Sequence, residues 1–177
     1  VNVKQRHFGG GERRKVGLTV LDGIHLVRAY IEAQGSPHAI AVAESALTRA
    51  EVAALLAGCP PQLVNVLADN LMAEASSLDS PAFVMAMVAT PQARVTPHDA
   101  SVLVLEDIQD PGNVGSLLRT AAAAGITEIL LSKTTAFAWS PKVLRAAQGA
   151  HFLLNLVEGT DVAAYIRGYR GQSLALV

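Results

Sequence analysis

Residues 102–132, VLVLEDIQDPGNVGSLLRTAAAAGITEILLS, decide the fold that the sequence predicts. The apolar run Val102–Leu105 indicates a strand, residues Val114–Gly125 have helical spacing, and EILLS at 128–132 indicates a second strand. Strands joined through a helix run parallel in one sheet, and ligands bind beyond their carboxyl ends. Because residues 106–113 lie at such an end, we expect functional residues there.

The stretch DPGNVGSLLR at 110–119 resembles a phosphate loop in outline but has a different composition. It lacks both the Gly-Lys-Ser/Thr ending of the Walker motif and the three-glycine dinucleotide fingerprint. Pro111 would stiffen the turn, Gly112 would permit a positive φ, and Gly115 would permit close approach of a backbone or ligand. On a helical wheel of about 100° per residue, Arg119 points away from the apolar stripe, which comprises Val114, Leu117, Leu118, Ala121 and Gly125.

Each of these residues also has a purely structural interpretation. Asn113 could be the N-cap of the helix, since asparagine is favoured there. Arg119 could be a surface charge paired with Glu106 or Asp107, and the glycines could be ordinary turn residues. The residues taken one at a time leave these alternatives open.

The rest of the chain alternates between strand and helix patterns. Asp22 is the expected N-cap of a helix that ends at Gly35, and Thr48 with Glu51 forms a predicted capping box. Ser140 with Pro141 starts a further helix that stops at Gly149. The predicted strands are 18–21, 38–43, 62–67, 82–89, 101–107, 128–132, 152–157 and 173–177, and the remaining predicted helices are centred on 48–58, 69–75 and 161–168.

The polar, proline-broken stretch Thr90–Ser101 is the predicted boundary between two domains. We expect a first α/β domain at 1–92, a linker at 93–100 and a second domain at 101–177. Alternation of strands and helices favours parallel sheets covered on both faces. Because the sequence ends on the predicted strand SLALV with no helix after Val177, we expect another chain or further sequence to cover it.

Composition excludes several classes of protein. The chain is 51% hydrophobic and 16% charged, with a net charge of −1, so it is globular and not a polycation. The single cysteine, Cys59, is interpreted as a loop residue and not a nucleophile, and it favours a reducing, cytoplasmic compartment. The five histidines show no metal-ligand spacing, and no apolar run is long enough to span a bilayer. We therefore expect neither a metal nor a membrane partner.

The segment from 103 to 131 closely resembles the first signature of the SpoU/TrmH family, the RNA ribose 2′-O-methyltransferases of the SPOUT superfamily. Its Asp-Pro-x-Asn-x-Gly-x-x-x-Arg-Thr-Ala core matches at every fixed position from Asp110 to Ala121. SPKVLRAAQGAHF at 140–152 resembles the next helix of the family. LTVLDGIHLVRAYIEA and SSLDSPAFVMAMVA resemble the beginning and end of its small substrate-binding domain, with departures at Asp22, where Glu is usual, and Phe83, where Gly is common.

The resemblance implies an S-adenosylmethionine-dependent enzyme that methylates a ribose of rRNA or tRNA and acts as a homodimer. By matching, Asn113 and Arg119 are the candidate catalytic residues. The candidate RNA contacts are the basic residues Lys4, Arg6, Arg13, Arg14, Lys15 and Arg28. The fold would be a small α/β domain followed by the first half of a Rossmann-like SPOUT domain with a trefoil knot.

Two further family signatures, which hold the cofactor, are not found up to Val177. We therefore expect the cofactor site beyond Val177, and we expect the chain as given neither to bind S-adenosylmethionine nor to transfer a methyl group. A non-catalytic RNA-binding module is the alternative. A nucleotide-binding Rossmann protein is less favoured, because Lys133 follows the strand at 128–132 where an acidic ribose clamp belongs.

Overall fold

A computed structural model describes residues 17–76 and 82–175 as seven strands and six α-helices. The strands are β1 (Leu18–Asp22), β2 (Ala39–Ala43), β3 (Val64–Leu67), β4 (Val84–Ala89), β5 (Val102–Leu105), β6 (Glu128–Ser132) and β7 (Asn155–Thr160). The helices are α1 (Ile24–Gln34), α2 (Ala50–Ala57), α3 (Asp69–Ala75), α4 (Pro111–Ala123), α5 (Pro141–Ala147) and α6 (Val162–Gly168). The α/β fold expected from the sequence is confirmed.

The first sheet has the strand order β1–β4–β2–β3 and is mixed. Strand β4 pairs antiparallel with both β1 and β2, and only β2 and β3 are parallel. The expectation of a parallel sheet in this half was therefore wrong. The most continuously buried strand of this sheet, Val84–Ala89, takes an inner position between two strands that precede it in the chain, and hydrophobic periodicity carries no information about strand direction.

The second sheet has the order β5–β6–β7 and is parallel throughout, as predicted. Its strands are joined by α4 and α5. Three of the five residues of the predicted apolar stripe are buried, with Val114 and Leu118 completely inaccessible and Ala121 3% exposed. Leu117 is half-buried, and Gly125 lies beyond the end of α4 and is exposed. Burial of one helical stripe against the sheet fixes how α4 is rotated about its axis, so Arg119 remains exposed.

The two sheets share one apolar core. Helix α1 of the first half packs against the 3₁₀ turn Ala150–Leu153 of the second, where the rings of Tyr30 and Phe152 meet edge to face with centroids 5.4 Å apart. Next to this pair, a Cβ built on Gly149 would lie 3.1 Å from the Cβ of Ala29. These contacts place α1 beside the segment that follows α5.

Two predicted helix starts differ from the structure. Gly23, with φ of 116°, occupies the N-cap of α1, and the Asp22 carboxylate instead accepts a hydrogen bond from the Ser76 hydroxyl at 2.6 Å. Helix α2 begins after Arg49 with no side-chain cap, so the Thr48–Glu51 capping box was wrong. The Arg49 guanidinium stacks 3.7 Å from the ring centroid of Phe83, and this contact positions the start of the helix.

Two predicted strands also differ. The strand predicted at 152–157 begins only at Asn155, because Gln148 and Gly149 adopt left-handed conformations with φ of 50° and 91° and lead into the 3₁₀ turn. Residues 173–175 of the predicted last strand are not a strand, and Leu176 and Val177 lie outside the described residues. Among the described residues, no helix is long and apolar enough to cross a membrane.

The segment Thr90–Ser101 runs along the second sheet and is fastened to it. Asn155 accepts a hydrogen bond from the Arg94 amide at 2.8 Å and donates one to the Arg94 carbonyl at 3.1 Å. Further along, the hydroxyl of Tyr165 donates to the Pro97 carbonyl at 2.9 Å. A domain boundary at 93–100 stays a prediction, and these bonds determine how it is tested.

Replacement of Asn155 by alanine is expected to speed tryptic cleavage after Arg94 about 30-fold. The two hydrogen bonds between the Asn155 side chain and the Arg94 backbone, of about 1 kcal/mol each, oppose local opening of this segment, and Val95 is already 95% exposed. Limited proteolysis with mass spectrometry measures the rate. Gln92→Ala is the control, because among residues 17–76 and 82–175 the Gln92 side chain bonds only to the nearby Thr90 carbonyl, at 3.4 Å. Equal cleavage rates after Arg94 in both variants would show that the hydrogen bonds of Asn155 do not restrain the segment around Arg94.

His151 is buried in the second half, with an exposed fraction of 1%. Its Nε2 lies 2.7 Å from the Ala138 carbonyl, so Nε2 carries the hydrogen and donates it, and the imidazole packs 5.0 Å from the Trp139 ring. Burial lowers the pKa of His151 from 6.5 to about 4, with the bond to Ala138 acting in the opposite direction. The ring is therefore neutral at pH 7.

Acidification is expected to destabilise the protein through His151. The unfolded chain binds a proton at this site below pH 6.5, whereas the folded chain does so only near pH 4, so the contribution present above pH 6.5 is lost as the pH falls to about 4. The loss is about 3 kcal/mol. Urea denaturation at several pH values measures it, with His151→Gln removing this part of the dependence and the exposed His38→Gln retaining it.

Candidate functional site

The turn before α4 is built around Asp110. Its carboxylate Oδ1 accepts the amide hydrogen of Asn113 at 2.7 Å, and Pro111 occupies the first helical position. Asp110 is therefore the N-cap, and the structural alternative that gave this role to Asn113 was wrong. Gly112 lies inside the first turn and has no positive φ, contrary to its predicted role. The side chain of Asn113 is left exposed for contacts outside the helix.

The positive φ in this turn belongs instead to Asp107, at 56°. Hydroxyl groups from the end of β6 hold the strained backbone: the Asp107 amide donates to Ser132 Oγ at 3.1 Å, and the Thr135 hydroxyl donates to the Leu105 carbonyl at 2.9 Å. The loop that follows one strand thus fixes the loop that follows its neighbour. Strain supported in this way is typical of functional loops.

Gly115 sets the distance between α4 and α5. A Cβ on Gly115 would lie 2.8 Å from the Val143 carbonyl oxygen and 2.9 Å from the Ala147 amide, and it would overlap the Cβ of Ala146. The predicted close approach at this glycine is confirmed, and its partner is the backbone of α5. This contact fixes the distance of α4, which carries Arg119, from the last turn of α5.

Arg119 lies on the rim of a groove with a volume of about 580 Å³. Helix α1, the exposed face of α4 and the 3₁₀ turn form its walls, and the lining residues outside α4 include Ala29, Glu32, Gln148, Gly149, Phe152 and Leu153. Most of the wall is small or apolar, so the guanidinium and the Glu32 carboxylate are its charged groups. The pairing of Arg119 with Glu106 or Asp107 is not found among residues 17–76 and 82–175.

The structure does not bring Asn113 and Arg119 together on one face of α4. They are six residues apart, which is about 9 Å along the axis and about 120° around it. Asn113 is not among the residues that line the Arg119 groove. A ligand that touches both side chains must therefore wrap around the exposed side of the helix.

The basic candidates fall into two groups. Lys4, Arg6, Arg13, Arg14 and Lys15 lie outside the described residues. Arg28 lies on α1 and is half-buried. Sequence reasoning missed Glu32 and Gln148, which line the groove, because α1 belongs to a distant part of the chain; the turn glycine Gly149 was the one available signal for the position next to Gln148. Among the described residues, no group of three or more potential metal ligands occurs.

Comparison with known proteins agrees with this geometry. The model of the SpoU rRNA methylase family matches residues 100–177, which contain the second sheet and α4. Residues 100–177 belong to the SpoU methylase family. This SpoU segment carries Asp110, Asn113, Gly115 and Arg119, so the residues that shape the turn and the groove rim lie within the family match.

Relatives extend the SpoU likeness over most of the chain. The chain is 36% identical over 157 residues to rRNA methyltransferase 3A, mitochondrial, of Danio rerio, and this match covers 84% of the chain and 35% of that protein. The chain is 28% identical to the Bacillus subtilis 23S rRNA (guanosine(2553)-2′-O)-methyltransferase RlmP, and this match covers 82% of the chain and 56% of RlmP. The solved structure of AviRb, a SpoU methyltransferase from Streptomyces viridochromogenes, superposes with a TM-score of 0.77 at 19% identity. The superposition covers 90% of this chain and 62% of AviRb.

The chain therefore spans about a third to just over half of the length of these curated relatives. The AviRb likeness shows the fold. The SpoU segment supplies the exposed arginine helix, and the first half supplies α1 as the opposite wall of the groove.

Proposed function

We propose that this protein takes part in S-adenosylmethionine-dependent methylation of a ribose 2′-hydroxyl in rRNA or tRNA. The observation that carries the proposal is Arg119, which lies in the segment that the family model matches, is exposed on α4 and lines the adjoining groove. The relative RlmP, a 2′-O-methyltransferase of 23S rRNA, supports the reaction class.

The proposed reaction is an in-line displacement at carbon. The ribose oxygen forms a bond to the methyl carbon as the bond from that carbon to the sulfonium sulfur breaks, the electron pair of the broken bond stays on sulfur, and the hydroxyl proton passes to solvent water. Arginine stays protonated, so Arg119 does not act as a base. Its guanidinium binds the adjacent phosphate and stabilises negative charge on the attacking oxygen. Asn113, on the neighbouring face of α4, positions the ribose or an adjoining phosphate.

S-adenosylmethionine supplies the methyl group in this proposal, and the AviRb structure, a complex with the cofactor AdoMet, supports that choice. The groove at Arg119 does not fit a closed cofactor site, because its walls, α1, α4 and the 3₁₀ turn, include no residue of the loops after β5, β6 and β7. We therefore assign the acceptor side of the reaction to this chain and no cofactor contact.

A cytoplasmic homodimer that contacts RNA through Arg28 and the basic residues 4–15 completes the proposal. The exposed apolar side chain of Leu153, at 67% accessibility, supports a contact with a second copy at the 3₁₀ turn. Sedimentation equilibrium of the parent chain and of Leu153→Lys tests it. The parent is expected to be dimeric and the variant monomeric, and two monomers would contradict the dimer.

The complete gene product, incubated with RNA and methyl-tritiated S-adenosylmethionine, tests the function. We expect label in a ribose-methylated nucleoside, identified by mass spectrometry after nuclease digestion. RNA binding without label transfer by the complete gene product would instead favour the alternative, an RNA-binding module without catalysis.

A further inference from the structure

A second cavity, of about 410 Å³, lies between the two halves of the molecule. The end of β1 and the first turn of α1 form one side, and the last turn of α5 forms the other. Its principal lining residues are Asp22, Ile24, His25, Leu144, Arg145 and Gln148. The proposed methyl-transfer machinery uses none of these side chains.

The lining combines three kinds of chemistry. Arg145 and His25 are exposed at the cavity, and both side chains carry hydrogen-bond donors. Asp22 contributes a carboxylate, which accepts hydrogen bonds. Ile24 and Leu144 contribute apolar surface. A cation, an acceptor and an apolar wall match the phosphate, the donor edge and the ring face of a nucleotide.

Asp22 supplies an observation independent of the cavity itself. Its Oδ2 accepts the hydrogen bond from Ser76, whereas its Oδ1 is buried and has no donor among residues 17–76 and 82–175. A buried carboxylate oxygen without a donor costs about 1–3 kcal/mol. A ligand that brings an N–H group to this carboxylate removes part of that cost.

Gln148 connects this cavity to the groove of Arg119, because it lines both. Its φ of 50° fixes the backbone at the junction. An RNA strand with its acceptor ribose at Arg119 would therefore run past Gln148 into the second cavity. The neighbouring nucleotide is the part of such a strand that reaches it.

We propose that the cavity between β1, α1 and α5 binds a nucleotide of the RNA next to the methylated one, with Arg145 on its phosphate and Asp22 on a base that carries an exocyclic amino group. The inference rests on the proposed function for its choice of RNA as ligand. Uracil lacks an amino group and offers a single N–H donor, so the pocket disfavours it.

Fluorescence anisotropy of the 177-residue chain with labelled single-stranded oligo(A), oligo(C) and oligo(U) tests the pocket. Asp22→Asn is expected to weaken binding of oligo(A) and oligo(C) about tenfold and to leave oligo(U) unchanged. Arg145→Gln is expected to weaken all three and to reduce the slope of log Kd against log salt by about 0.7, the value for one phosphate of a single strand.

Two further variants keep the test decisive. His25→Glu places a negative charge at the exposed mouth without disturbing the core, and it should weaken all three oligonucleotides. Arg167→Gln, on exposed α6, matches the loss of charge away from the cavity and should leave binding unchanged. If Arg145→Gln and His25→Glu both bind like the parent chain, the pocket is not an RNA site.

The outcome is separable from that of the proposed function. If the complete gene product transfers no methyl group but binds RNA in a base-dependent way that Arg145→Gln abolishes, the pocket is supported and the proposed activity is not. If Arg145→Gln and His25→Glu both transfer methyl groups with an unchanged kcat/KM, the pocket is not an RNA site and the proposed activity is supported.

Discussion

Replacement of Arg119 by alanine in the complete gene product is expected to lower kcat/KM for RNA methylation by about 10²–10³-fold. The guanidinium acts on charge that develops on the attacking oxygen, so the loss should appear in kcat more than in KM. Arg119 is exposed and forms none of the buried core, so the thermal unfolding temperature should stay within about 1 °C. Single-turnover methyl transfer and thermal melts measure the two effects.

Two further variants decide how Arg119 acts. Arg119→Lys keeps the positive charge but loses bidentate hydrogen bonding to a phosphate, so it should retain only part of the parent rate. Arg167→Ala removes an exposed arginine from α6 and should retain the parent rate. If Arg119→Ala turned over at the parent rate with saturating RNA, the residue would be an ordinary surface charge.

Replacement of Gly115 by valine is expected to destabilise the protein by about 5 kcal/mol or to prevent folding. Even a Cβ at this position overlaps Ala146 and comes within 2.9 Å of the α5 backbone, and backbone cannot move aside as a flexible side chain does. Helix α4 must then move away from α5. Urea denaturation followed by circular dichroism measures the free energy of unfolding.

Gly58→Val is the matched control for Gly115, because it places the same side chain at the end of α2. A Cβ there has its nearest neighbour at 3.8 Å, the Leu55 carbonyl oxygen, and the φ of −87° suits any residue. The expected cost is about 1 kcal/mol or less. Equal destabilisation by the two variants would show that the close contact between α4 and α5 is not what makes Gly115 necessary.

The sequence by itself determined the unit from β5 to β6 and the helix that connects them. Apolar spacing along α4 predicted which face of this helix is buried, and this in turn predicted that Arg119 is exposed. In β5 only Leu105 is buried, and residues 102–104 are half-buried. Ser140 followed by Pro141 correctly predicted the start of α5. These features are local, because a helical or strand period and a capping side chain involve residues within a few positions of one another.

Tertiary structure decided the features that depend on distant segments. Strand β4 lies between β1 and β2 because its buried side chains fit there, and no local pattern encodes that pairing or its direction. The carboxylate of Asp22 binds Ser76, 54 positions away, instead of capping its own helix. The groove at Arg119 exists because the edge-to-face contact of Tyr30 with Phe152 brings α1 beside α4. Such placement follows from packing the whole core at once, so a residue's exposure could be predicted from its neighbours in sequence, whereas its partners across the groove could not.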